Sequence, residues 1–116
     1  MKNIRVLDCT LRDGGRIIDC KFDNMTIYNI ANELTESGMD IVEVGFLRDK
    51  ELVNYNGNST FFTDVSQIAQ FIPKNKRNTM YVAFIDYNMY NFEDLTECDN
   101  TSVDGIRVGF TKKQYE

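Results

Sequence analysis

The sequence predicts an α/β domain built from parallel β/α repeats, with about four strands and helices between them. Three observations predict it. Short apolar runs recur at residues 4–8, 41–46, 80–85 and 103–110. Segments with apolar residues at helical spacing lie between them, and turn residues such as Gly38 and Pro73 separate strand from helix. Strands joined through helices pair in parallel with right-handed crossovers.

Residues 4–8 read as a buried first strand. Ile27, Ile30, Ala31 and Leu34 recur at i, i+3, i+4 and i+7, the stripe of an amphipathic helix. Asp23 or Asn24 is placed to cap its start and Gly38 to end it. Residues 41–46 form strand two. Val65, Ile68, Ala69 and Ile72 repeat the helical spacing, with Thr63 or Asp64 as cap and Pro73 at the end. Residues 80–85 form strand three, residues 87–95 a short helix of poorer spacing, and residues 103–110 strand four. The stretch 47–62 exceeds the 2–6 residues of an ordinary β-to-α connection. Its polar interior, residues 54–59, reads either as a lid or substrate-contacting loop, or as decoration without chemistry.

The chain has 116 residues, with 13 Lys and Arg against 18 Asp and Glu, a formal net charge of −5. No basic stripe with interleaved aromatics is present, which argues against nucleic acid as a partner. No apolar run approaches the roughly 20 residues of a membrane span. The amino terminus has no signal-peptide pattern. Cys9, Cys20 and Cys98 are odd in number and include no CxxC pair, which points to a reduced, cytoplasmic compartment. Cys9 reads as a small buried hydrophobe, and the chain has no histidine to activate it.

The most informative segment is Leu7-Asp8-Cys9-Thr10-Leu11-Arg12-Asp13-Gly14-Gly15. In β/α proteins ligands sit at the carboxyl ends of strands. There Arg12 offers a permanent forked cation to an oxyanion, or a salt bridge to Asp8 or Glu43. Asp13 offers a carboxylate to a metal, or caps a turn. The paired glycines allow a sharp turn and a close backbone approach. Glu43 interrupts an apolar strand and is costly to bury without a partner. Alternation puts it on the face opposite Val42 and Val44. Arg107 interrupts the fourth strand near its carboxyl end; it contacts a substrate anion, or pairs with Glu43 or Asp86. Asp86, after strand three, is placed for function or for a turn. Tyr81, Phe84, Tyr87, Tyr90 and Phe92 read as core and packing.

Asp8-Cys9-Thr10-Leu11-Arg12-Asp13-Gly14-Gly15 resembles the strand-one signature of the DRE-TIM metallolyases. These metal-dependent lyases and aldolases include the 4-hydroxy-2-oxovalerate aldolases, hydroxymethylglutaryl-CoA lyase and the isopropylmalate and citramalate synthases. Ile41-Val42-Glu43-Val44-Gly45-Phe46 matches where that family places strand two. The resemblance implies the N-terminal half of a TIM (β/α)8 barrel. It also implies divalent-metal enolate chemistry on an α-keto acid such as pyruvate, or on an acyl-CoA. Arg12 matches the family's enolate-stabilising arginine and Asp13 its metal-binding aspartate. Glu43 matches the strand-two glutamate that orders the arginine. The metal would be Mn2+ or Mg2+, with Zn2+ as a third option.

Arg16 departs from the pattern, because the hydroxy-oxovalerate aldolases carry a catalytic histidine there. Arginine takes up no proton near neutral pH, so Arg16 is left to grip a substrate carboxylate or phosphate, or to be solvated. The family's His-x-His metal pair is impossible in a chain with zero histidines. A full barrel needs about 250 residues. The expectation is therefore a partial domain spanning residues 1–116, inactive alone, that self-associates or pairs with the missing half-barrel. Retro-aldol cleavage and Claisen-type condensation share the enolate. Two other classes compete: a small receiver-like open-sheet domain, using Asp8, Asp13, Asp86 and Thr111, and a non-catalytic assembly partner.

Overall fold

The computed structural model describes residues 4–115. Its strands are β1 (Leu7–Asp8), β2 (Ile41–Leu47), β3 (Phe61–Phe62), β4 (Met80–Asp86) and β5 (Gly105–Gly109); its helices are α1 (Asn24–Glu36), α2 (Val65–Ala69) and α3 (Lys112–Tyr115). All strand pairs are parallel, in the order β1-β2-β4-β5. The α/β class and the parallel sheet agree with the sequence reading.

The fifth strand was not expected. β1 pairs with the start of β2 (Leu7↔Ile41, Asp8↔Val42), and β3 pairs with its end (Phe46↔Phe61, Leu47↔Phe62). Since β4 occupies the other side of β2, β3 takes over the edge that β1 leaves. The long connection after β2 thus returns to the sheet. Its tip is tied to the start of α1 by reciprocal bonds, Asn24 N–H to Asn58 Oδ1 (3.0 Å) and Asn58 N–H to Asn24 Oδ1 (2.8 Å). Tyr55 packs on Phe62, with ring centroids 5.6 Å apart.

α1 starts where its cap predicts: Asp23 Oδ1 accepts from Thr26 N–H at 2.7 Å. That bond holds the Asp23 carboxyl below its ordinary range. The helix ends at Gly38, whose φ of +83° is the left-handed conformation a glycine reaches without strain. Asp64 and Gln67 form a reciprocal capping box at α2. α2 stops at Ala69, so Ile72 lies beyond it.

Three expectations are corrected. Residues 4–6 are not part of a buried strand: Ile4 is 74% exposed and Val6 52%, because β1 is the outer strand and only Leu7 and Asp8 enter the ladder. Residues 87–95 form no helix beyond a three-residue 3-10 turn, Phe92–Asp94, at which Asn91 Oδ1 accepts from Glu93 N–H. β5 is shorter than residues 103–110, although Val103 is buried beside it.

The two faces of the sheet differ. Val42, Val44, Tyr81, Ala83 and Ile85 join Ile27 and Ala31 of α1 and Ile68 of α2 in one apolar core. Tyr81 Oη and Thr35 Oγ1 are hydrogen-bonded to each other, and both reach the Ala31 carbonyl oxygen (3.1 and 2.9 Å). The opposite face carries Glu43, Phe46, Phe84 and Arg107. Phe46 reaches that face through a bulge: Glu43 pairs with Val82 and Phe46 with Phe84, so β2 spends one extra residue between them. Gly45 lies in this bulge, where a Cβ would collide with the Thr60 carbonyl oxygen.

Candidate functional site

The signature loop is built from its own backbone. Asp8 accepts from Thr10 N–H (2.9 Å) and Thr10 Oγ1 (3.0 Å) and so starts the turn. The Cys9 carbonyl oxygen then accepts from both Arg12 N–H (3.1 Å) and Gly14 N–H (3.0 Å). This sends Leu11 into the core, fully buried. Its neighbour Arg12 turns to the charged face.

A 3-10 helix, Gly14–Ile18, follows. Neither Gly14 nor Gly15 has positive φ; the left-handed residues are Asp19 and Cys20 (φ 53° and 57°). The turn at these glycines is closed by the Gly14 N–H on the Cys9 carbonyl and needs no left-handed glycine. What Gly15 supplies is room, since a Cβ there would lie 2.8 Å from the Phe22 ring. Cys9 is only partly buried, against expectation. The fully buried cysteine is Cys20, whose burial pushes its thiol up from the ordinary 9.0.

Glu43 is the centre of the site. Its side chain is fully buried and accepts from Arg12 Nε at 2.6 Å, Arg107 Nε at 2.5 Å and Arg107 Nη2 at 3.1 Å. Burying a carboxylate costs several kcal/mol unless good geometry and extra hydrogen bonds offset it. Here two guanidinium groups and three N–H donors do so. Bonding to Glu43 also raises the already high pKa of Arg107. The sequence left open whether Arg12 and Arg107 pair with Glu43; both do.

Because Glu43 takes the Nε–H of Arg12, the Nη groups of that guanidinium remain for other acceptors, and Nη1 lies 3.5 Å from Asp13. The guanidinium lies against apolar surface, its Cζ 4.4 Å from the Phe84 ring centroid and 5.5 Å from that of Phe46. Arg107 sits over the same Phe84 ring, at 5.4 Å. Arg16 lies 5.1 Å from Phe46 and bonds Asp13 at 3.2 Å. Phe84 therefore serves as the floor of the site rather than as core packing, while Tyr87 and Phe92 are exposed.

One member escaped the sequence reading. Arg48, the first residue after β2, stacks 4.6 Å from the Phe46 ring and bonds Asp86 at 2.7 Å. Its position at the carboxyl end of a strand was the available signal. Asp86 is thus an ion-pair partner. The site gathers four guanidinium groups, of Arg12, Arg16, Arg48 and Arg107, against three carboxylates, of Asp13, Glu43 and Asp86. That leaves an excess of positive charge in a chain whose net charge is −5.

As a metal site the same residues are poor. Asp13 is a half-exposed carboxylate with two guanidinium groups within 3.5 Å. Among the described residues no three His, Cys, Asp or Glu side chains gather. Magnesium and manganese require several oxygen ligands. These residues alone do not fit such an ion.

Compared with known protein families, curated proteins and solved structures, the chain matches none. No helix among the described residues is long and apolar enough to cross a membrane.

Proposed function

We propose that the Glu43 face is an anion site in which Arg12 stabilises the enolate of an α-keto acid such as pyruvate. On this reading the chain is the enolate-binding part of a carbon–carbon lyase or aldolase, or of a Claisen-type acyl transferase acting on an acyl-CoA. The observation that carries the reading is the buried Glu43 bridging Arg12 and Arg107. A carboxylate is sunk into the sheet, and it pre-orients two cations, Arg12 in the loop after β1 and Arg107 in the middle of β5. Fixed charges of this kind, in a partly dry site, favour charge that develops during a reaction. The motif resemblance through Leu11-Arg12-Asp13-Gly14 and residues 41–46 adds to it.

The strand order supports reading the domain as the first units of a β/α barrel. Apart from the two-residue β3, which returns to the β1 side of β2, the strands add in one direction, the helices α1 and α2 lie against one face and the charged side chains occupy the other. A receiver-like sheet runs 2-1-3-4-5, with its first strand inside, whereas β1 here ends the order. β1 and β5 terminate the sheet, and we propose that this half-barrel associates through those ends, with a second copy or with the remaining strands of a barrel.

A divalent cation bound at Asp13, as the resemblance implies, would add Lewis-acid stabilisation, and it requires ligands beyond that one carboxylate. Arg16 supplies no proton acceptor. Binding, rather than turnover, is therefore the test. Oxalate, a planar mimic of the pyruvate enolate, is titrated into the chain by calorimetry. Saturable binding that is lost in Arg12→Gln is expected. No binding, or binding indifferent to Arg12→Gln, would refute the reading.

A further inference from the structure

On the face of the sheet that carries α1 and α2, a cavity of about 270 Å³ lies between α2 and the start of β5. A parallel crossover ordinarily carries a helix. Residues 87–104, which join the parallel strands β4 and β5, carry only the 3-10 turn Phe92–Asp94. Beside α2 the apolar core is therefore open to one side, and Val65, Leu95, Val103 and Ile106 wall the cavity there. Ile106 precedes Arg107 on β5, so their side chains stand on opposite faces of the sheet. The cavity is thus separate from the Glu43 site.

Its walls are tied together, since Ser102 Oγ donates to the Val65 carbonyl and Asp104 N–H to the Tyr81 carbonyl (2.7 Å). Its lip is acidic. Four carboxylates line the cavity, and no Lys or Arg does. Asp104 is ion-paired with Lys76 at 2.7 Å, so its charge is already met. Asp64 accepts backbone N–H groups at the start of α2, and Asp99 accepts from the Thr101 N–H and hydroxyl. Glu97 is exposed. Among the described residues, none of Asp64, Glu97 and Asp99 is paired with a cation.

We infer that this cavity binds a small apolar ammonium ion, its ring or branched chain against Val65, Leu95, Val103 and Ile106 and its charged end at Asp64, Glu97 and Asp99. The volume sets the size. It is just under the roughly 300–1,000 Å³ of drug-sized ligand sites, so the ligand is no larger than one ring with a short chain. Burial of the apolar part supplies the affinity. The carboxylates without counter-cations set the sign of the charge, because they attract a cation and penalise an anion. The site stands independently of Arg12 and of the enolate reading.

Cys98, the exposed cysteine, lines the same cavity and reports its occupancy. Its alkylation by iodoacetamide, read by peptide mass spectrometry of the full chain, is followed against four probes. These are 2-phenylethylamine, the neutral 2-phenylethanol, the anionic 3-phenylpropionate and ammonium chloride. The amine is expected to protect Cys98 saturably, with a dissociation constant at least about threefold below that of the alcohol. The acid should protect least of the phenyl compounds, and ammonium chloride not at all. Salt at about 1 M should remove the preference for the amine. Leu95→Ala should weaken amine and alcohol alike. Glu97→Gln combined with Asp99→Asn should close the gap between them, and this lip variant serves if Leu95→Ala fails to fold. Equal protection by amine, alcohol and acid overturns the inference, as does a gap that survives the lip variant. No protection at all, or protection that ammonium chloride reproduces, overturns it too. So would amide shifts centred on Arg12 and Arg107 rather than on Val65 and Ile106, which would place the amine on the other face.

Discussion

The two faces of the sheet use the same strands for opposite purposes. Against α1 and α2, β2 and β4 present Val42, Val44, Tyr81, Ala83 and Ile85, which need only be apolar and well packed. One residue along each strand, on the other face, stand Glu43, Phe46 and Phe84 beneath four arginines. The first face is held by burial, which is non-directional and tolerant of conservative change. The second is held by a few ion pairs whose geometry is specific. Stability can be spread over many side chains, whereas the charged face hangs on one buried carboxylate that dictates where its partners stand.

The largest effect should come from breaking the charged face at its centre. Glu43→Ala leaves Arg12 with its counter-charge removed in a mostly buried position, at a cost of about 3 kcal/mol. Urea unfolding should show a lower midpoint. A variant as stable as the parent would mean that Glu43 is not what holds the arginines.

Next is the bulge that brings Phe46 to that face. Gly45→Ala sets a methyl group against the Thr60 carbonyl, which is backbone and cannot turn aside. A loss of about 2 kcal/mol is expected, together with an altered signal from the Phe46–Phe61 ring pair, stacked 5.0 Å apart. Chemical denaturation and aromatic NMR together would check it.

On the apolar face, Tyr81→Phe removes a hydroxyl bonded to Thr35 and Ala31, at about 1 kcal/mol near neutral pH. Burial raises the Tyr81 phenol from its ordinary 10.0. The folded chain therefore holds that proton more tightly than the unfolded one. The stability this contributes is intact below pH 10.0 and falls as pH rises further. Tyr81→Phe should flatten that alkaline decline, measured as the unfolding midpoint against pH. The smallest change is expected from Arg16→Ala. Its ion pair with Asp13 is half exposed on both sides, so stability should move by less than about 0.5 kcal/mol.

How much of this was readable follows the range of the signal. α1 was legible in full because its stripe, its Asp23 cap and its Gly38 terminus are all local. Glu43 was legible as a charge that breaks an apolar strand. Arg48 was not, because its role depends on Phe46 and Asp86, which only the fold brings to it. β3 is two residues long and exists because β1 vacates the edge of β2, a fact of pairing rather than of composition. Residues 4–6 were read as buried from their apolar character, which says nothing of a place at the edge of a sheet. The four-strand outline and the opposed faces came from periodicity. Which arginine meets which carboxylate came from the structure.

The central claim is that Glu43 holds Arg12 and Arg107 ready for an anion. It is tested most directly by NMR of the arginine Nε–H groups during an oxalate titration. Separate, slowly exchanging Nε–H signals for Arg12 and Arg107 are predicted before ligand is added, as their bonds to Glu43 require. Both should shift saturably as oxalate binds. Averaged, solvent-exchanging signals in the free chain, or signals that ignore oxalate, would contradict it.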